Sequence, residues 1–177
     1  MQLQTIRTAL ADLQSDPEQP GAWQSLDEAL PRAAGDRDES LRLIASARQE
    51  HLKRREWSAV ARLLGAEATL ANGSERELER LRLEAKILRE NLLEETAACR
   101  LFERILSISP QDHEASLALD ESRSKRDSWR ELVNTYLAEA EKAPDDLYRS
   151  SMSMRAAEVE LRFAGTEIDE KRVLGRL

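Results

Sequence analysis

The side chains that could perform catalytic or metal-binding chemistry are few and lie far apart in the sequence. The chain contains two histidines, His51 and His113, and one cysteine, Cys99. A zinc site or a nucleophilic triad needs several such groups close together, and these three residues show the spacing of neither. A single cysteine also excludes a disulfide within the chain. We therefore predict no catalytic residue, no metal site and no cofactor.

Two pairs of adjacent carboxylates, Glu94-Glu95 and Asp145-Asp146, are the remaining candidates for acid–base chemistry. Both pairs fall where the sequence predicts a helix to begin, and carboxylates stabilise the positive end of the helix dipole there. The sequence contains no phosphate-binding loop, no G-x-S-x-G motif and no H-E-x-x-H motif. We interpret the carboxylate pairs as helix-stabilising groups and predict that the protein is not an enzyme.

The composition favours helices that share an apolar core. Hydrophobic residues make up 41% of the 177 residues and charged residues 34%, with Leu, Ala, Glu and Arg the dominant helix formers. Aromatic residues are only 4%, and six glycines and five prolines are too few for the turns of a β-sandwich or barrel. The formal net charge of −7 disfavours a general nucleic-acid-binding role.

No apolar run approaches the 18 residues or so that a membrane-spanning helix needs, so we expect no membrane insertion. The first residues, Met1 to Gln4, lack the basic and apolar blocks of a signal peptide. From these two observations we expect a cytoplasmic protein.

An internal repeat links the three tryptophans of the chain. Trp23 and Trp57 are 34 residues apart, and Trp57 and Trp129 are 72 apart, close to twice the first distance. When residues 57–68 are placed over residues 129–140, four positions are identical. We interpret this as a double repeat of 72 residues, because internal similarity at a fixed spacing indicates stacked structural units.

Within each unit, apolar residues recur three and four positions apart, which is typical of helices that bury one face. Two Ser-x-x-Glu capping boxes, Ser74–Glu77 and Ser128–Glu131, predict helix starts. No segment needs a strand. A last helix is expected to begin near Glu167 and to be cut short at Leu177, which would leave Val173 and Leu174 without a packing partner and would indicate a longer protein.

One helix carries a more specific pattern. Ala98, Phe102, Ile105 and Pro110 follow one another at spacings of four, three and five. This pattern resembles the second helix of a tetratricopeptide repeat (TPR), a unit of about 34 residues that contains two helices. The same register in the next unit is occupied by Leu132, Tyr136, Glu139 and Pro144.

The resemblance implies an all-α fold, a right-handed α-solenoid of antiparallel helix pairs. Residues 1–177 would form one such domain, with about four and a half TPR-like units and nine to ten helices. The tryptophans would fill the gap between neighbouring helices, so we interpret them as packing residues rather than ligand-stacking residues. The approximate units are 1–35, 36–73, 74–110, 111–144 and the incomplete 145–177.

The resemblance also implies a function, that of a non-enzymatic scaffold for protein–protein interaction. Its concave face, lined mainly by the first helix of each pair, would bind a peptide or a partner protein. The residues expected on this face are Arg80, Leu83, Ile87, Glu90, Asn91, Glu114, Leu117, Glu121, Lys125, Met152, Arg155, Val159 and Arg162.

Three alternatives stay open. The chain could be a regulatory or adaptor arm of a larger multidomain protein or enzyme. It could be an RNA-associated helical repeat that uses the basic runs 53–55 and 123–126, although helix ends also attract cations, so a nucleic-acid partner is not expected. Finally, an uncapped C-terminal unit could drive self-association.

Overall fold

The structure of the chain, a computed structural model, describes residues 2–71, 73 and 75–164. This part of the chain confirms the all-α prediction, with eight α-helices, two short 3₁₀ helices and no strand. The expected final helix, with Val173, Leu174 and Leu177, lies outside the described residues, as does Ser74 of the first capping box. The helices are α1 (Gln2–Ser15), α2 (Pro20–Ala29), α3 (Arg37–Lys53), α4 (Trp57–Ala71), α5 (Glu75–Glu90), α6 (Glu95–Ile108), α7 (His113–Glu141) and α8 (Asp146–Phe163), and the 3₁₀ helices are Leu30–Arg32 and Ala34–Asp36.

The helices pack largely in chain order. From α3 to α8 each helix packs on the next one, while α1 packs on both α2 and α3. The apolar side chains form two cores, the first built from helices α1 to α4 and the second from helices α4 to α7. Because neighbouring helices cover each other's apolar faces, no single helix pair has to be stable alone.

Helix α4 belongs to both cores. One of its faces places Leu63 and Leu70 in the first core, and another places Ala61 and Ala68 in the second. Alanine is common along this helix, and its small side chain lets helices approach closely from two sides. A helix that is apolar on most of its circumference is a buried helix, so α4 lies between α3 and α5 and positions both of them.

The second capping box does not start a helix, so that prediction was wrong. Ser128 lies inside α7, which runs without interruption over 29 residues. Its hydroxyl donates a hydrogen bond of 2.9 Å to the carbonyl of Ser124, a bond that serine commonly makes inside helices. Residues 113–141 contain no glycine and no proline, so nothing in their sequence breaks the helix.

The two carboxylate pairs lie at helix starts, as the sequence predicted. Asp145 precedes α8 and accepts a hydrogen bond of 2.7 Å from the backbone N–H of Tyr148. Glu94 and Glu95 stand at the start of α6. No helix in the described part of the chain has both the length and the apolar character needed to cross a bilayer.

Candidate protein-interaction surfaces

A buried carboxylate connects three helices at the centre of the described structure. Glu67 of α4 is 1% exposed, yet it lies between two arginines. Its Oε1 accepts a hydrogen bond from Nε of Arg48 on α3, and its Oε2 accepts one from Nε of Arg80 on α5, each at 2.5 Å. Burying a charge is costly unless it is paired and hydrogen-bonded, so this Arg–Glu–Arg network fixes α3 and α5 on either side of α4.

Helix α5 makes similar bonds to the helices that follow it. The Glu77 carboxylate accepts a hydrogen bond of 2.6 Å from Arg104 of α6. Arg82 donates to Asp112, at the start of α7, through Nε at 3.1 Å and Nη2 at 2.5 Å. The backbone N–H of Ala115 and the Arg82 guanidinium hold the pKa of the Asp112 carboxyl below its usual value. Paired charges of this kind fix the direction and register of successive helices.

A cleft of about 410 Å³ opens between α3 and α5. Both helices pack on α4, but they barely pack on each other, so α4 forms the floor of the cleft and the other two form its walls. We call this surface the arginine cleft. Its lining residues are Asp38, Leu41, Arg42 and Ala45 of α3, Glu67 and Ala71 of α4, and Arg76 and Arg80 of α5.

The arginine cleft is lined by three arginines, Arg42, Arg76 and Arg80, and by two carboxylates, Asp38 and Glu67, so its lining carries one excess positive charge. Arg42 and Arg76 are exposed and make no ion pair within the described part of the chain, whereas Arg80 is held by Glu67. The negative charge of Glu67 is further shared with Arg48, which lies outside the lining. Arginine side chains bind carboxylates and phosphates through two parallel hydrogen bonds, so the available chemistry of this cleft is anion recognition.

Two further pockets bring together six of the thirteen residues predicted to bind a partner. A polar pocket of about 220 Å³ contains Glu90 of α5, Glu121 and Lys125 of α7, and Arg162 of α8. Lys125 donates to Glu121 at 2.6 Å and holds the pKa of that carboxyl below its usual value. Arg162 in turn binds Glu158 at 2.6 Å.

The second of these pockets, the α7–α8 groove, has a volume of about 280 Å³ and shares Lys125 and Arg162 with the polar pocket. It combines aromatic and aliphatic side chains with exposed charges, the mixture found in protein-binding surfaces. Its lining residues are Lys125, Leu132, Tyr136, Arg155, Glu158, Val159, Arg162 and Phe163.

The other predicted residues are dispersed. Arg80 lies in the arginine cleft, and Met152 is only 6% exposed, so its side chain is not part of a surface. Leu83 and Leu117 are large apolar side chains left 44% and 60% exposed. Ile87 packs against the second core, while Asn91 and Glu114 are exposed outside these pockets.

The arginine cleft was not predicted from the sequence, although one signal for its floor was present. Glu67 is the only acidic residue of the 15-residue helix α4, and it lies among alanines and leucines that must face a core. A carboxylate in such a position needs a cationic partner from a neighbouring helix. Nothing comparable marks Arg42 and Arg76, since exposed arginines are common on helices.

The histidines and the cysteine take no part in these surfaces. His51 is buried, and its Nδ1 lies 2.5 Å from a carboxylate oxygen of Glu56, a contact that joins α3 to the start of α4. The Cys99 thiol lies 3.1 Å from the hydroxyl of Ser122. In the residues the structure describes, no cluster of three or more His, Cys, Asp or Glu side chains could hold a metal ion.

Glu84 of α5 supports a prediction about pH. A Cβ atom at Gly65 of α4 would lie 3.1 Å from Oε1 of Glu84, so this carboxyl packs over the glycine. Burial raises the pKa of Glu84 from 4.5 to about 7, although the charge of Arg104 opposes the shift. The folded state therefore binds this proton more tightly than the unfolded state, and the associated stability is present below pH 4.5 and lost as the pH rises through about 7.

We expect Glu84→Gln to raise the free energy of unfolding by about 1–3 kcal/mol near pH 8 and to change it little near pH 4.5. Urea unfolding at the two pH values measures the difference. The exposed Glu103→Gln is the matched control and should have little effect at either pH. An equal change of stability for Glu84→Gln at both pH values would contradict the prediction.

Comparison of the chain with protein-family models, with curated proteins and with solved structures found no match. Function is therefore inferred from the surfaces of the molecule and from the pattern of its sequence.

Proposed function

We propose that the chain is a non-enzymatic protein-interaction scaffold, built as a right-handed α-solenoid of TPR-like helix pairs, that binds a peptide or partner protein. The packing of α3 to α8 in chain order supports this architecture, as does the placement of α4 between two apolar cores. In such a stack each helix pair is covered by its neighbours, and the surface between successive helices is left for binding.

The observation that carries the proposal is the α7–α8 groove. Four residues that the sequence pattern assigns to a partner-binding face, namely Lys125, Arg155, Val159 and Arg162, line this one pocket. Leu132, Tyr136 and Phe163 add apolar surface to it. Aromatic and arginine side chains contribute a large share of the binding energy at protein interfaces. The groove contains both kinds of side chain, so it is suited to bind a segment of a partner protein.

The basic runs favour a protein partner over RNA. Lys53 binds Glu50 at 2.7 Å, Arg54 donates to the carbonyl of Gln14 at 2.8 Å, and Lys125 binds Glu121. These three cations are engaged within the chain: Lys53 and Arg54 stand at the C-terminal end of α3, where cations are stabilising, whereas Lys125 lies inside the continuous α7. An adaptor arm of a larger protein would use the same groove, so that alternative predicts the same binding surface.

Reversal of one charge tests the groove. Arg155 is exposed and makes no ion pair in the described part of the chain, so Arg155→Glu should leave the fold intact while lowering recovery of partners in affinity capture by about tenfold. Arg100→Glu on α6 is the control, because Arg100 is also exposed and without an ion-pair partner there. If both variants lost partners to the same extent, the groove would not be the binding surface.

A further inference from the structure

We propose that the arginine cleft is a second binding site, which receives a carboxylate-rich segment of a partner protein. The site lies between α3 and α5 and shares no residue with the α7–α8 groove. It therefore does not depend on the function proposed for that groove, and each site can fail its test without affecting the other.

The cleft offers two guanidinium groups that the described part of the chain does not use. Arg42 extends from α3 and Arg76 from α5, so they lie on opposite walls. Both are exposed and free of ion pairs there. An acidic segment lying along the cleft could bind an arginine on each side, and paired charge-assisted hydrogen bonds are stronger than neutral ones.

The buried Glu67 in the floor of the cleft binds an arginine from each wall helix. Arg80 of the α5 wall is 29% exposed; its Nε is held by the buried Glu67 of the floor, and its Nη1 lies 3.8 Å from Glu79. The same Glu67 holds Arg48, so the separation of α3 and α5 is fixed before any partner arrives. A site that is rigid before binding loses less conformational entropy when it binds.

The surroundings favour a protein segment over a nucleic acid. The chain carries a net charge of −7, which disfavours the binding of an extended polyanion. Leu41, Ala45 and Ala71 line the cleft beside the arginines. A segment with alternating acidic and apolar side chains satisfies both kinds of surface, whereas a phosphodiester backbone would satisfy only the charges.

The test is binding of a labelled synthetic peptide in which glutamates alternate with leucines, measured by fluorescence anisotropy with the full chain. The double variant Arg42→Glu/Arg76→Glu should weaken binding at least about tenfold. Arg100→Glu/Arg126→Glu is the matched control, because it makes the same change in net charge at two exposed arginines without ion-pair partners in the described residues. This control should alter the affinity by less than about twofold.

Three further binding measurements distinguish between possible ligands. A peptide with glutamine in place of every glutamate should not bind, and inorganic phosphate or a single-stranded RNA should not displace the acidic peptide. The proposal would be overturned if the acidic peptide did not bind the natural chain, or if both double variants lost the same affinity for it. It would also be overturned if RNA or phosphate displaced the peptide. Thermal unfolding of the cleft variant should match that of the natural chain, and Arg42→Ala/Arg76→Ala provides the same test if it does not.

Discussion

Replacing Glu67 with alanine should lower the free energy of unfolding by about 3–5 kcal/mol. The substitution leaves the side chains of Arg48 and Arg80, which are 13% and 29% exposed, without the carboxylate that binds both of them. Breaking a buried ion pair from one side is costly because the remaining charge is poorly solvated. Since Glu67 connects α3 and α5 through α4, its loss also loosens both walls of the arginine cleft.

Urea unfolding followed by circular dichroism measures this effect, and a triple variant serves as its control. Arg48→Met/Glu67→Leu/Arg80→Met removes all three charges together, so it should recover most of the stability that Glu67→Ala loses. If Glu67→Ala lowered the free energy of unfolding by less than about 1 kcal/mol, Glu67 would behave as an exposed ion-pair residue, and its burial in the structure would be contradicted.

Replacing Trp23 with alanine should also cost about 3–5 kcal/mol, by removing a large side chain from the first core. Trp23 is 4% exposed, and its Nε1 donates a hydrogen bond of 2.8 Å to the carbonyl of Pro17. The guanidinium of Arg62 lies over its ring, 4.0 Å from the ring centre. Alanine would lose the packing, the hydrogen bond and this cation–π contact together.

The repeated tryptophans provide matched controls for this prediction. Trp57 and Trp129 are only partly buried, so their substitution by alanine should cost less than that of Trp23. Trp23→Phe keeps a ring but loses the hydrogen bond, and should cost about 1 kcal/mol from that loss. Thermal and urea unfolding of the four variants gives the ranking, and equal costs at the three tryptophans would contradict the packing seen in the structure.

Much of the fold could be predicted from the spacing of apolar residues. Ile6, Leu10 and Leu13 in α1 and Phe102 and Ile105 in α6 recur at helical intervals, and all five are buried. Helical periodicity is a strong signal because the side chains that face a core must recur with the turn of the helix.

The continuous α7 could not be predicted in the same way. The repeat at Trp129 and the capping box at Ser128 both indicated a helix start. A capping box is a local signal, and the same serine can instead bond the carbonyl four residues earlier inside a helix. No glycine or proline interrupts residues 113–141, and α7 packs on both α6 and α8.

The binding surfaces were only partly predictable. Lys125, Arg155, Val159 and Arg162 were assigned to one face from the repeat pattern, and the structure brings them into one groove. The arginine cleft arises differently, because it exists only where α3 and α5 are held apart by α4. Arg42 and Arg76 are 34 residues apart, the same spacing as Trp23 and Trp57, but the repeat does not by itself mark them as a binding pair, since their common cleft is a property of three packed helices.

We propose that this chain functions by binding other proteins in the clefts between its packed helices. Site-specific photo-crosslinking in cells tests it directly, with a photoreactive amino acid placed at position 42, at position 155 or, as a control, at position 100. We predict that positions 42 and 155 each form adducts with a reproducible set of proteins, and that position 100 forms none. Adducts with nucleic acid, or equal protein adducts at all three positions, would contradict it.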